Sequence, residues 1–225
     1  VVETRLSDLD YCYATVELLK VLENNAYLRN ERIRTFLEQR ASRETRIVSL
    51  VALLFPAVLL IILVSPSNDI GSELVLRENM QGFVLRMFSL LMLGLFIFIF
   101  CFLLMHHLWH LHLVEPLRKK LTHDLKKELL DDIKKIDEHT ESIVQKSLFT
   151  HPRVPELYLC TEILPLLIRY FEKGLADFMK EAVYALELEL KHTGQYHHLV
   201  PRVTFLQRER DYLQNRMAYL NKLLK

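Results

Sequence analysis

The sequence predicts an all-α chain: a two-pass transmembrane helical hairpin with long amphipathic, coiled-coil-like cytosolic helices on both sides. Three observations carry that expectation. Two long apolar runs, residues 47–64 and 87–105, contain no charged side chain. Each is close to the ~20 helical residues that a bilayer core of about 30 Å requires. Glycine and proline are scarce, 5 and 7 in 225 residues, which is too few for a turn-rich β fold. Most of the remaining chain repeats apolar residues every three or four positions, the period of a helix with one buried face.

Composition also excludes function classes. The 29 basic and 28 acidic residues nearly cancel to a formal charge of +1. A general nucleic-acid binder needs a basic excess to displace counterions from phosphate, so nucleic acid is not an expected partner. No G-x-G-x-x-G, P-loop or C-x-x-C spacing occurs, and no cofactor is expected. The cysteines, Cys12, Cys101 and Cys160, form no pairing framework, which suits soluble parts held in a reducing compartment.

Residues 1–46 read as an N-terminal amphipathic cytosolic helix. Leu6, Leu9, Val16, Leu19, Leu22 and Ala26 make its stripe. Its second half carries Arg29, Arg32, Arg34, Arg40, Arg43 and Arg46. Of these, Arg40, Arg43 and Arg46 adjoin the first apolar run, where they would set membrane orientation and contact anionic lipid. The hairpin occupies residues 47–113, with spans at about 47–64 and 83–108 joined by a loop at 65–82. Both spans must be helical, because lipid offers no partner to backbone polar groups. Pro56 removes a backbone hydrogen bond from the first span and marks an expected kink. Neither span carries Asp, Glu, Lys, Arg or His at mid-depth, which argues against proton relays, voltage sensors and ion-coupled transport.

The loop holds Asp69, Glu73 and Glu78, whereas Arg118, Lys119, Lys120, Lys126 and Lys127 follow the second span. The positive-inside rule then places both termini on the cytosolic or matrix-like side. At the exit of the second span stands MHHLWHLHLVEP. His106 and His110 lie four apart and His107 and His110 three apart, a spacing able to present two imidazoles to one metal. Trp109 among them suits an interfacial ring at head-group depth. His192, His197 and His198 form a later group. Such clusters resemble the histidine boxes of membrane di-iron hydroxylases and desaturases, which would imply a metalloenzyme. Two spans are too few for that family and a third box is absent.

Residues 114–225 make up the C-terminal cytosolic helical domain, with helices at about 117–148, 166–191 and 203–225. Leu117, Leu121, Leu125, Leu129, Ile133 and Ile136 stripe the first. Pro152, Pro155 and Pro165 mark the connection that follows. Leu167, Phe171, Phe178, Ala182 and Leu186 make the second broadly apolar, and Gly194 closes it. The third carries a seven-residue rhythm, with Leu206, Leu213 and Leu220 in one position and Val203, Met217 and Leu224 in the other. Three heptads need a partner helix, supplied either by another copy or by the chain's own helices.

The expected function is that of an integral membrane helical subunit. It would act as scaffold or anchor in a homo- or hetero-oligomeric complex, assembling through Leu206, Leu213, Met217, Leu220 and Leu224. In topology the layout also resembles two-span pore-forming effectors of bacterial defence, which implies an oligomeric channel or pore as the alternative. No arrangement of nucleophile, base and acid stands out, so an enzyme is not expected.

Overall fold

The structure, a computed structural model, describes residues 2–64, 80–109 and 115–224. Every regular element among them is helical: α1 (Val2–Val64), α2 (Met80–Trp109), α3 (Glu115–Val144), α4 (Ser147–Thr150), a 3-10 turn (Glu156–Tyr158), α5 (Leu164–Glu172), α6 (Met179–His192), α7 (Tyr196–Leu199) and α8 (Phe205–Leu223). Residues 65–79 of the connecting loop, and His110, lie outside the described residues, and residues 80–82, expected in the loop, begin α2.

Helix α1 differs from the expected division at residue 46. It runs unbroken from the amphipathic stretch into the apolar run. Residues 41–50, ASRETRIVSL, contain neither glycine nor proline, so nothing interrupts the hydrogen-bond ladder where the polarity changes. Pro56 sits inside the same continuous helix.

The chain divides into two compact units, residues 1–34 with 128–225, and residues 35–127. The cuts fall within α1 and α3 rather than at the hairpin's edges. Contacts define these units, and both long helices contribute to each.

The first unit packs α1 residues Tyr11, Cys12, Val16, Leu19 and Leu22 against Ile143, Phe149, Leu159, Ile163, Leu167, Phe171, Ala182, Leu186 and Leu206. The helix expected over 166–191 is two helices here. Helix α5 closes with Gly174 at φ 68°, where Gly174 N–H donates to Phe171 O and Leu175 N–H to Tyr170 O. These are the two bonds of a Schellman stop, whose left-handed residue favours glycine. Gly194, at φ 69°, follows α6 as expected.

The start of α1 holds this α5–α6 corner. Arg5 Nε donates to Phe171 O at the C-terminal end of α5 (3.0 Å). Asp8 Oδ2 accepts from Met179 N at the first residue of α6 (3.0 Å), and Asp8 Oδ1 pairs with Arg153 Nη1 (2.8 Å). A cation thus meets exposed carbonyls and an anion meets exposed amides, the signs that helix dipoles favour. Tyr11 adds a hydroxyl that donates to Leu148 O and accepts from Arg153 N, both at 3.2 Å.

In the second unit the covered positions on α1 are Phe36, Val48, Ala52 and Pro56, all on one four-residue step. Among the described side chains of α2 they are Gly94 and Trp109. Ala52 and Gly94 are the small residues among these covered positions.

Candidate functional site

Two features stand out: an apolar outer surface on the second unit, and a buried charged layer in the first.

The segment Phe88–Trp109 of α2 has mean hydropathy 2.8 and is long and apolar enough to cross a membrane. Only 6% of its most apolar window is buried, so it is not a core helix of the chain's own fold. Leu91, Phe96, Phe100 and Leu103 all face outward. Among the described residues this α2 segment is the one that meets the measure of length and hydropathy for a crossing. The apolar end of α1 also exposes Leu50, Leu54, Phe55, Ile61 and Ile62 around the covered Val48–Ala52–Pro56 line. Water-soluble proteins seldom expose contiguous apolar patches beyond a few hundred Å².

The flanking residues sort themselves. Arg40 Nε pairs with Glu44 at 3.1 Å and is partly covered, which takes it out of the set offered for lipid contact. Arg43 and Arg46 are exposed, and neither has an ion pair to a described residue. Lys119 and Lys120 are exposed, and Lys119 is paired with Glu115 at 2.8 Å. The side chain of Arg118 is not among those described. Trp109 is buried, and its indole N–H has no acceptor among the described residues. It is therefore covered by protein rather than presented outward as a head-group anchor.

His106 and His107 are exposed, and the His106 ring stacks on Phe102 with centroids 6.1 Å apart. Among the described residues no three His, Cys, Asp or Glu side chains form a group able to hold a metal ion.

The charged layer was not anticipated. Arg29, counted above with the basic cluster, is buried. Its Nη2 meets both carboxylate oxygens of Glu209 at 2.7 Å, and its Nη1 meets Asp137 Oδ1 at 3.2 Å. The guanidinium lies 3.7 Å from the Tyr212 ring centroid, and Tyr212 OH donates to Asp137 Oδ2 at 3.3 Å. One turn earlier on α1, Asn25 Nδ2 donates to Thr140 Oγ1 at 3.2 Å and lies 3.1 Å from His139 Nδ1. The layer joins α1, α3 and α8. Arg29, Asp137 and Glu209 are 4%, 1% and 5% exposed, which leaves two buried carboxylates sharing one cation. Burial pushes the Asp137 carboxyl above its ordinary value, against the pull of Arg29. Burial also raises the Tyr212 phenol, with the Asp137 charge adding to it.

The sequence signal for this layer was a break in polarity on an apolar stripe. Arg29 follows Leu22 and Ala26 and precedes Ile33, and Asp137 follows Leu129 and Ile133. A charge at such a position is buried and must be answered by another.

The tail helix packs largely inward. Leu206 and Leu220 are buried, and Leu213 packs half-buried against the first unit's core. Met217 is 65% exposed. Arg210, which interrupts the heptad seam, pairs with Glu156 and donates to Phe149 O. Arg210 therefore serves the chain's own fold.

The chain matches no protein-family model, no curated protein and no solved structure.

Proposed function

We propose that the chain is an integral membrane helical subunit. It crosses the bilayer twice, through the apolar end of α1 and through α2, with both termini on the cytosolic or matrix-like side. The observation that carries this reading is the outward-facing apolar surface of both helices, which lipid would cover. Exposed Arg43 and Arg46 before the first crossing, and Lys119 and Lys120 after the second, support the orientation.

Its role is that of scaffold or anchor in an oligomeric complex. Support comes from apolar side chains left outward on the first unit: Tyr184 and Leu188, one turn apart on α6, and Met217 and Tyr219 on α8. Side chains of this kind anchor protein interfaces. The buried charged layer gives the assembling surface a fixed shape by locking α8 to α1 and α3.

Native mass spectrometry of the nanodisc-embedded particle tests the reading. A particle of more than one chain, or one retaining a second protein, is the expected result. A bare monomer would defeat the assembly claim. A closed ring of four or more copies would shift the reading to the pore and make bilayer conductance the next test.

A further inference from the structure

We propose that the groove between α1 and α2 at the basic flank binds one anionic glycerophospholipid, held by phosphate at Arg46 and by one acyl chain along Leu50, Leu53 and Phe98. The groove is a shallow, open one of about 620 Å³, lined by Ser42, Thr45, Arg46, Ser49, Leu50, Leu53 and Phe98. That size is within the range of small-molecule sites.

Its lining changes character along α1. Ser42, Thr45 and Arg46 occupy the polar end, Ser49 the boundary, and the two leucines with Phe98 of α2 the apolar end. At a rise of 1.5 Å per residue, Ser42 to Leu53 spans roughly 16 Å, about the distance from a phosphate into the upper acyl chain.

Three details select an anionic amphiphile over other occupants. Arg46 has no carboxylate partner among the described residues, whereas Arg40, less than two turns away, is neutralised by Glu44. A guanidinium without a carboxylate offers its donor fork to phosphate. The Ser42 and Ser49 hydroxyls make no hydrogen bond to a described residue, so both can donate to phosphate or ester oxygens. Thr45 Oγ1 already donates to Ala41 O at 2.9 Å and contributes shape. Finally, the lipid's two ends match the groove's two ends in polarity, which a free anion or a plain hydrocarbon does not.

This inference rests on the membrane reading, and the test separates the two. Delipidated protein in detergent is titrated with phosphatidylglycerol, with phosphatidylcholine and with inorganic phosphate, and lipid adducts are counted by native mass spectrometry. Membrane residence is scored independently by resistance to alkaline carbonate extraction. We expect one phosphatidylglycerol per chain, bound at least about tenfold tighter than phosphatidylcholine. Arg46→Gln should abolish the preference, and Arg43→Gln, whose side chain does not line the groove, should keep it. Phe98→Ala should weaken both lipids equally. Carbonate resistance should persist in every variant. Equal binding of the two lipids, a preference that survives Arg46→Gln, or full displacement by millimolar phosphate would each overturn the proposal. Loss of carbonate resistance in the wild type would instead overturn the membrane reading.

Discussion

Replacing Arg29 with methionine probes the buried layer with a change of charge and little change of length. In the native chain the guanidinium answers both Glu209 and Asp137, and its side chain is 5% exposed. The Arg29→Met substitution would leave two carboxylates buried without a cation. Removing one partner of a buried pair costs about 3–5 kcal/mol, because the remaining charge keeps its desolvation penalty. With a urea slope of about 2 kcal/mol per molar, the unfolding midpoint of the first unit falls by roughly 2 M.

The protein carries its own reporters for this assay. Cys12 and Cys160 are buried in that unit's core, and burial pushes their thiols up to about 12 and about 11. The native thiols are therefore both covered and protonated, and alkylate only when the unit opens. Pulse alkylation across a urea series, in a Cys101→Ala background, reads the midpoint. A shift below about 0.5 M would refute the reasoning, since it would mean the layer is solvated or carries little energy. Replacing Arg29, Asp137 and Glu209 together with apolar residues should recover most of the loss, because no buried charge then remains.

Other outcomes follow from the same geometry. Glu209→Gln should destabilise more than Asp137→Asn, because Glu209 takes two 2.7 Å bonds from Arg29 and Asp137 only one, of 3.2 Å; paired urea midpoints decide the order. The folded-state Asp137 binds its proton more tightly than an unfolded one. Its contribution to stability therefore falls as pH rises from near 3.8 through the raised folded value, and Asp137→Asn should remove that slope from a stability–pH profile. Gly174→Ala should cost about 1 kcal/mol from the left-handed φ alone, since a methyl there meets the Arg5 guanidinium at an ordinary 3.6 Å; a neutral result by thermal melting would contradict the Schellman stop. Asp8→Ala removes a helix cap and an ion pair and should cost roughly 1–2 kcal/mol, read by the same thiol protection. Met217→Asp should reduce oligomer mass without lowering the urea midpoint, whereas Leu206→Asp should unfold the first unit.

Some of this was legible in the residues. The helical class follows from scarce glycine and proline and from three-and-four spacing. The outward apolar surface of α2 follows from a run too uniform to have a polar face. The α5–α6 corner was missed because its broad apolar stripe reads through Gly174, although Glu-Lys-Gly-Leu carries the stop signal of a glycine followed by an apolar residue. A count of charges groups Arg29 with its arginine neighbours, because composition does not see stripe position. Its partners lie 108 and 180 residues away, a separation that only the folded chain closes. The caps supplied by Arg5 and Asp8 were invisible for the same reason. Asp8 lies in α1, and the helix that it caps begins at Met179.

The central claim is a two-pass crossing, and sidedness of labelling tests it most directly. Single cysteines at Asn30, exposed on α1, at Ser67, in the connecting loop, and at Ser147, beyond α3, are placed in a cysteine-free background. They are challenged with a membrane-impermeant maleimide in sealed vesicles of known orientation. A two-pass crossing predicts Ser67→Cys labelled from the non-cytosolic face, and Asn30→Cys and Ser147→Cys only after permeabilisation from that face. Labelling of Asn30→Cys from the same side as Ser67→Cys, or of all three positions from one side, would contradict it.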